Sequence, residues 1–390
     1  MKPFDVYPLM DTNIQRGLGS YIWDKKGRRY LDFYGGHAVI SIGHSHPHFL
    51  KMIKTQLDKV AFYSNFVQNE LREELAEKLG KLSMYASYNL FMVNSGAEAI
   101  ENALKLASFK NGRTKVVAFE KGFHGRTSAA VHITDNSKIS AKINKGFERT
   151  LIPWNDIEIA TEVISKNDVC AVVIEGVQGI GGIHIPTPEF LQELEKLCKK
   201  HNTVLILDEI QSGYGRTGKF FAHQYSTVKP DLITIAKGMG NGFPIGGILI
   251  SPEFDARHGL LGTTFGGTHL ACAAGLAVVE VIEKENLLRN ARLRGIQLKN
   301  ALTQFSEISE IRGIGCMIGL EMAFPVKSFR KLLIKKFGVF TGSSSQANTL
   351  RILPSLSVKE TEVTEFISAF GECLAAYKKQ SNYESFSIRK

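Results

Sequence analysis

Lys237 follows a short apolar run, Leu232-Ile233-Thr234-Ile235-Ala236, and leads straight into Gly238-Met239-Gly240-Asn241-Gly242. Earlier in the chain, Thr203-Val204-Leu205-Ile206-Leu207 ends in Asp208-Glu209 in the same manner. An amine and a carboxylate thus each sit at the tip of a strand-like segment and are followed by flexible backbone. A lysine can form a Schiff base with an aldehyde, and an acid can keep a basic ring nitrogen protonated. An aldehyde cofactor of the pyridoxal phosphate (PLP) kind needs that pair, and PLP chemistry is the expectation for this chain.

Two further constellations suit the same chemistry. Asn94-Ser95-Gly96-Ala97-Glu98 joins a strand-like run to a helical one, with Ser95 as N-cap and Glu98 three positions on, the spacing of a capping box. Gly96 leaves N–H groups open at a positive helix end, where phosphate binds. In Gly122-Phe123-His124-Gly125-Arg126-Thr127, Phe123 can stack on a flat ring and Arg126 can fork a carboxylate with two N–H donors. A capped helix, a core phenylalanine and a surface arginine are the plain alternatives for these residues.

Three other patterns carry less. Gly213-Tyr214-Gly215-Arg216-Thr217-Gly218-Lys219 fits a nucleotide P-loop, but Phe220 stands where a Mg²⁺-ligating hydroxyl belongs. His44-Ser45-His46-Pro47-His48 alternates imidazoles without a Cys or acidic cluster to complete a metal site, so no metal is expected. Gly313-Ile314-Gly315-Cys316-Met317-Ile318-Gly319 misses the dinucleotide spacing by one and reads as a strand bend.

The elements that must position these groups show as short apolar runs at Asn89–Val93, Lys115–Phe119, Cys170–Ile174, Thr203–Leu207, Leu232–Ala236 and Gly247–Ile250. Helix-period segments such as Ala97–Phe109 and Pro188–Lys200 lie between several of them. Alternating strands and helices argue for an α/β fold with a parallel sheet covered on both faces. Ligands of such sheets collect at the carboxyl ends of the strands. Ser95, Phe123, Glu175, Asp208 and Lys237 all follow directly after these runs. Gly19–Leu31 alternates like a strand around a Lys25-Lys26-Gly27 turn, Leu270–Glu285 and Leu287–Phe305 read as long helices, followed by Ile311–Glu321, and a last helix lies near Glu360–Tyr377. Residues 51–270 are expected to form the cofactor domain, and 1–50 with 271–390 a smaller lobe. The last dozen residues, rich in Lys, Gln, Ser and Asn, are expected to fray.

Bulk properties bound the rest. At 390 residues the chain exceeds what one core usually supports. Five dispersed cysteines read as reduced thiols, and the opening residues lack the apolar core of a secretory signal. No run approaches the ~18 apolar residues of a membrane span. A cytoplasmic enzyme is the profile. The formal charge of +10, with clusters at 327–336 and at the tail, comes without an RNA-binding aromatic motif or zinc finger. It suits steering of small anions better than nucleic-acid binding.

Taken in order, Gly43–Pro47, Asn94–Ala99, Phe123–Thr127, Asp208–Gly213, Gly215–Gly218, Ala236–Gly238 and Thr263–Gly267 resemble blocks of the class III (ω-amino) aminotransferases. These belong to PLP fold type I, and the acetylornithine aminotransferases are the most similar group within them. The resemblance runs from about Gly17 to about Leu353. It implies a large domain with a mainly parallel sheet plus a smaller α+β lobe. It also implies that Lys237 carries the Schiff base and shuttles the proton, while Asp208 pairs with the ring nitrogen. Gln211 would bond the ring hydroxyl, Ile210 and Phe123 would sandwich the ring, and Glu175 would belong to the cofactor site. Ser95, Gly96 and Ala97 would hold the phosphate, with Thr264 reaching in from the partner of a homodimer.

Two arginines address substrate. By the same resemblance Arg126 takes the carboxylate far from the reacting amine, and Arg351, in Leu350-Arg351-Ile352-Leu353-Pro354, takes the α-carboxylate of glutamate. The implied reaction moves the terminal amine of an Nα-acyl-ornithine, acetyl or succinyl, to 2-oxoglutarate, a step of arginine biosynthesis. Relatives commonly read Glu-Pro-x-Gln-Gly-Glu, where the second Glu masks the inner arginine. This chain reads Glu175-Gly176-Val177-Gln178-Gly179-Ile180, so the masking acid is absent. Another ω-aminotransferase (ornithine, 4-aminobutyrate or lysine type), an aminomutase and a silent PLP-fold binding protein are the alternatives.

Overall fold

The computed structural model of the chain describes residues 1–387. Three strands open it: β1 (Ile14–Leu18), β2 (Tyr21–Asp24) and β3 (Arg29–Phe33). Then come β4 (Asn89–Val93), β5 (Lys115–Phe119), β6 (Arg149–Ile152), β7 (Val169–Glu175), β8 (Val204–Asp208), β9 (Leu232–Ile235) and β10 (Gly246–Ile250). Four more, β11 (Ile308–Ile314), β12 (Met317–Met322), β13 (Val339–Ser343) and β14 (Thr349–Ile352), precede the closing helix.

The middle group forms one sheet of seven strands in the order β4-β10-β9-β8-β7-β5-β6. Six of its members, β6, β5, β7, β8, β9 and β4, run in one direction, while β10 runs opposite and pairs antiparallel with both β9 and β4. β7, β8 and β9 are buried along their whole length, as their continuous apolar sequence demands. Alternation sorts their side chains onto two faces. Ala171, Val173 and Ile206 pack with the helix Gly96–Asn111 on one face, while Val172, Ile174 and Leu207 pack with the helix Pro188–Lys200 on the other. Phe190, Leu191, Leu194 and Cys198 supply the second helix's buried stripe. Each such large apolar side chain contributes about 1.5–3 kcal/mol of transfer free energy before the cost of ordering the chain. Thr187 caps that helix by accepting from Phe190 N–H, Pro188 starts it, and Lys199 and Lys200 sit at its negative end.

The outer groups meet in a second sheet, ordered β1-β2-β3-β13-β14-β12-β11. A parallel pairing of β3 with β13 ties the start of the chain to its end. The expected segment Ile311–Glu321 is a hairpin: β11 and β12 pair antiparallel, with Gly315 at its tip in left-handed backbone (φ +58°). The glycine-rich run, expected as a bend within a strand, is instead the hairpin turn with the strand ends on either side of it. Long helices at His269–Lys284 and Leu287–Leu302 also fall where expected. The closing helix, Glu360–Ser387, runs past Tyr377, and the fraying expected of the end falls in part on residues 388–390, outside those described. Among the described residues no helix is long and apolar enough to cross a membrane.

Candidate active site

The carboxyl ends of β4, β5, β7, β8 and β9 open on one cavity of about 310 Å³. Ser95, Gly96, Ala97, Phe123, Glu175, Asp208, Ile210, Gln211 and Lys237 line it, so nine positions singled out from the sequence converge there. Lys237 sits in left-handed backbone (φ +44°), a strained conformation held by the turn that follows and by Ser41 Oγ donating to the Gly238 carbonyl at 2.7 Å. Burial pushes its ammonium down, against the carboxylates of Asp208 and Glu175, while the charge of Arg351 adds to the downward shift. A lysine so placed keeps more of its nucleophilic neutral form than one in water.

Asp208 is held from two sides. His124 Nδ1 lies 2.7 Å from Asp208 Oδ2, and Ile210 N–H donates to Oδ1 at 3.1 Å. His124 is itself fixed, its N–H donating to Thr134 Oγ1 at 2.9 Å. Burial works against protonating this imidazole, but the hydrogen bond and charge of Asp208, with the charge of Glu175, outweigh it and raise its pKa. Glu175 accepts from the N–H groups of Phe123 (3.1 Å) and Gly179 (2.8 Å), and burial holds its carboxyl above the usual range. Sequence reasoning quoted His124 within a block but gave it no role; its contact with Asp208 exists only in the folded chain.

The helix Gly96–Asn111 begins at the cavity wall. Ser95 Oγ accepts from Glu98 N–H at 3.2 Å, as the capping pattern predicts. Glu98 instead reaches Asn94 N–H, at 2.9 Å, one residue before the position a capping box uses. The amides of Gly96 and Ala97 have no protein partner among the described residues and are free for an anion. Gly125 (φ +140°) lets the Phe123 loop press onto this helix end, where a Cβ would come within 2.8 Å of Ala97 Cβ.

Three predicted residues lie outside the cavity lining. Arg126 and Thr264 are exposed. Arg351 is 1% exposed and stands one residue behind the wall, its Nη1 donating to Gln211 Oε1 at 3.2 Å and its Nε to the Ser343 carbonyl at 2.6 Å. Burial lowers this guanidinium to about 10. Gln211 in turn donates from Nε2 to the His37 carbonyl at 2.9 Å. Gly176 and Gly179 leave room that side chains would fill: a Cβ at 176 would come within 2.5 Å of Glu209 Oε1, and one at 179 would overlap Gln211 Oε1. Glu209 belongs to a buried relay in which His223 Nδ1 lies 2.7 Å from Oε1 and Tyr85 OH lies 2.7 Å from His223 Nε2.

The P-loop-like segment is a structural turn. Arg216 is buried and spends its guanidinium on the carbonyls of Pro354, Cys316, Ala38 and Ile40. The histidines of the 44–48 segment each face a different carboxylate: His44 Asp32, His46 Glu285 and His48 Glu280.

The donor set fits PLP: open amides for a phosphate, an acid, an amine, and the apolar Ile210 and Phe123 as walls. Comparison with known proteins agrees. Residues 5–374 match the family model described as aminotransferase class-III. An acetylornithine aminotransferase of Bacillus subtilis (strain 168) is 38% identical over 95% of this chain and 97% of its own length. An acetylornithine/succinyldiaminopimelate aminotransferase of Buchnera aphidicola is 38% identical over 93% of this chain and 92% of its own. Among solved structures, an ornithine aminotransferase of Toxoplasma gondii superposes with a TM-score of 0.89 at 26% identity, covering 97% of this chain and 93% of that one. An acetylornithine aminotransferase of Elizabethkingia anophelis gives 0.83 at 28%, covering 96% of each. The fold is that of the type I PLP enzymes, and the chain belongs to the class III aminotransferases, with PLP as its cofactor.

Proposed function

We propose that this enzyme transfers the terminal amine of an Nα-acyl-L-ornithine to 2-oxoglutarate, giving the N-acyl-glutamate semialdehyde and L-glutamate. The name shared by several of its curated relatives supports the acyl-ornithine half. The buried Arg351, without a carboxylate partner among the described residues and joined to the cavity through Gln211, supports the glutamate half and is the observation that carries the reading.

When bound, PLP supplies an electron-withdrawing ring that stabilises negative charge on the substrate carbon. The chain's own groups do the rest. Lys237 Nζ would make the covalent link to the aldehyde and, once the substrate amine has displaced it, would carry the proton from the amine-bearing carbon to the cofactor's aldehyde-derived carbon. Asp208, oriented by His124, would keep the ring nitrogen protonated. Unit charges 4 Å apart attract by ~1 kcal/mol in water but ~4 kcal/mol at an effective dielectric near 20, so burial gives Asp208 its leverage. Ser95, Gly96 and Ala97 would hold the phosphate, and Ile210 and Phe123 would wall the ring, with Gln211 and Glu175 also lining the cavity. Arg126, whose guanidinium has no partner among the described residues, forks the distal carboxylate of either substrate, and Arg351 takes the α-carboxylate of glutamate. Thr264 completes the phosphate site of a second copy.

Free diamines rank lower, because Ile180 cannot mask Arg351 while an amine without that carboxylate is bound. A half-reaction panel tests the assignment by following the cofactor absorbance of the holoenzyme with N-acetylornithine, N-succinylornithine, ornithine, lysine and 4-aminobutyrate. Rapid loss of the lysine-linked absorbance with an acyl-ornithine is expected. No response to either acyl-ornithine, with a ready response to another ω-amine, rejects it.

A further inference from the structure

The positive cluster at residues 327–336 is split by the fold. Lys327, Lys331, Lys335 and Lys336 of the helix Val326–Phe337 are exposed, whereas Arg330 turns inward against β13. Its Nε and Nη2 both donate to the Thr341 carbonyl, at 3.2 and 2.6 Å. Arg351 Nε uses the Ser343 carbonyl of the same strand. Residues two apart along a strand are separated by about 7 Å, so β13 anchors two guanidinium groups side by side. Between the two anchors the strand carries Gly342, where a Cβ would meet Arg351 Cβ at 3.2 Å and Tyr34 Cδ2 at 3.3 Å.

Neither guanidinium has a carboxylate within ion-pair distance among the described residues. Their remaining hydrogen-bond partners there are the two carbonyls and Gln211. Each cation is felt by the same neighbours: burial first, then Arg351, Lys237 and Arg330, brings His37 down to about 4, so it is neutral at neutral pH and adds no competing charge. Holding a buried cation, Arg351, beside a partly buried one, Arg330, without counter-ions is costly. A carboxylate of a bound ligand would supply what the chain lacks, since Ile180 occupies the place of the usual acid.

The geometry points to Arg330 as a positioning residue for the acidic half of the reaction: behind Arg351 it reinforces the positive site that takes the second carboxylate of a dicarboxylate substrate. This rests on the reading of Arg351 as the α-carboxylate site. Arg330 acts through Arg351 and Tyr34, adding positive field at the point where glutamate or 2-oxoglutarate places that carboxylate.

Glutarate, a dicarboxylate with no amino or oxo group, is the probe, titrated calorimetrically into holoenzyme. Arg330→Met is expected to weaken glutarate roughly tenfold, equivalent to about 1.4 kcal/mol, while kcat/KM for the amine donor stays within roughly threefold. Arg330→Lys, which keeps the charge, should recover most of the affinity, and Arg330→Gln should behave like Arg330→Met if the latter does not fold. Wild-type glutarate affinity in the Met or Gln variant overturns the proposal, and so does equal loss with Lys. Equal damage to both half-reactions would reduce Arg330 to a structural role and also overturn it. Arg351→Ala separates the two readings. If it abolishes glutarate binding while Arg330→Met leaves it intact, only the role of Arg330 fails. If it leaves glutarate binding intact, the reading of Arg351 fails with it. A donor panel that rejects acyl-ornithine leaves the glutarate result standing.

Discussion

The Asp208 carboxylate is held in one orientation, and His124 is the side chain that holds it, at 2.7 Å. Removing one partner of a buried hydrogen bond leaves the other with a desolvation penalty of about 1–3 kcal/mol. The raised pKa of His124 gives this contact a pH signature. A histidine whose folded pKa exceeds its unfolded value, near 6.5, contributes stability that is complete below that value and lost as pH rises through the folded pKa. Folding stability should therefore fall from about pH 6.5 upward through this term. His124→Asn should be less stable than wild type at about pH 6, with the gap closing as pH rises. Urea midpoints of the two proteins across the pH range test this, because other titrating groups cancel in the difference. A gap that is constant with pH would mean that His124 does not share a proton-linked bond with Asp208.

The amides of the first turn of the helix Gly96–Asn111 are free by position, and the missing side chain at Gly96 lets Ile210 pack close beside them. A Cβ at Gly96 would lie 2.8 Å from Ile210 Cδ1 and 2.9 Å from Cγ2, in the wall of the cavity. Two effects oppose each other in Gly96→Ala. Alanine favours helix over glycine by up to ~1 kcal/mol, while overpacking a filled site costs about 1–3 kcal/mol. Position 96 is the first residue of the helix, where propensity counts least, so overpacking should win. The variant is expected to melt lower and to bind PLP roughly tenfold more weakly, a loss of about 1.4 kcal/mol; a higher melting temperature with unchanged PLP affinity would show that Ile210 yields at little cost. The same helix shows what could be read before folding. Its cap, its glycine and the strand before it are local patterns, as are the buried runs of β7, β8 and β9; Ser95, Gly96, Phe123, Glu175, Asp208 and Lys237 are legible from such patterns and line the cavity, whereas Ala97, Ile210 and Gln211 come from the family resemblance alone. The half-buried edge strand β6, Arg-Thr-Leu-Ile, has neither an apolar run nor clean alternation and went unseen. The antiparallel direction of β10 was equally hidden, since pairing direction leaves no mark on a four- or five-residue segment. The inward turn of Arg330 and the bond from His124 to Asp208 depend on packing between segments far apart in sequence, which no local pattern encodes.

The isolated chain leaves a patch of aromatic surface uncovered beside Thr264. Phe62, Tyr63, Phe66 and Phe265 are 44%, 57%, 95% and 60% exposed, and the rings of Phe62 and Phe265 lie 5.3 Å apart. The two segments are joined by Asn65 Nδ2 donating to the Thr263 carbonyl at 2.7 Å, so the patch is one surface. Scattered exposed aromatics need no explanation, but a clustered set of this size marks an interaction site. We propose that a second copy of the chain covers it. Thr264 is exposed next to Phe265 in the chain and outside the cavity of its own chain, and a partner would carry it to the other site. A net charge of +10 would oppose self-association at long range, yet at physiological ionic strength charges beyond about 8 Å are screened. Short-range apolar burial should therefore prevail, while the residual field favours entry of anionic substrates. Phe66→Glu places a carboxylate at the most exposed ring of the patch. Sedimentation of the wild type as a dimer, and of this variant as a monomer with lost activity and weakened PLP binding, is the expected result. A fully active monomer would leave Thr264 without a role and the cavity complete within one chain.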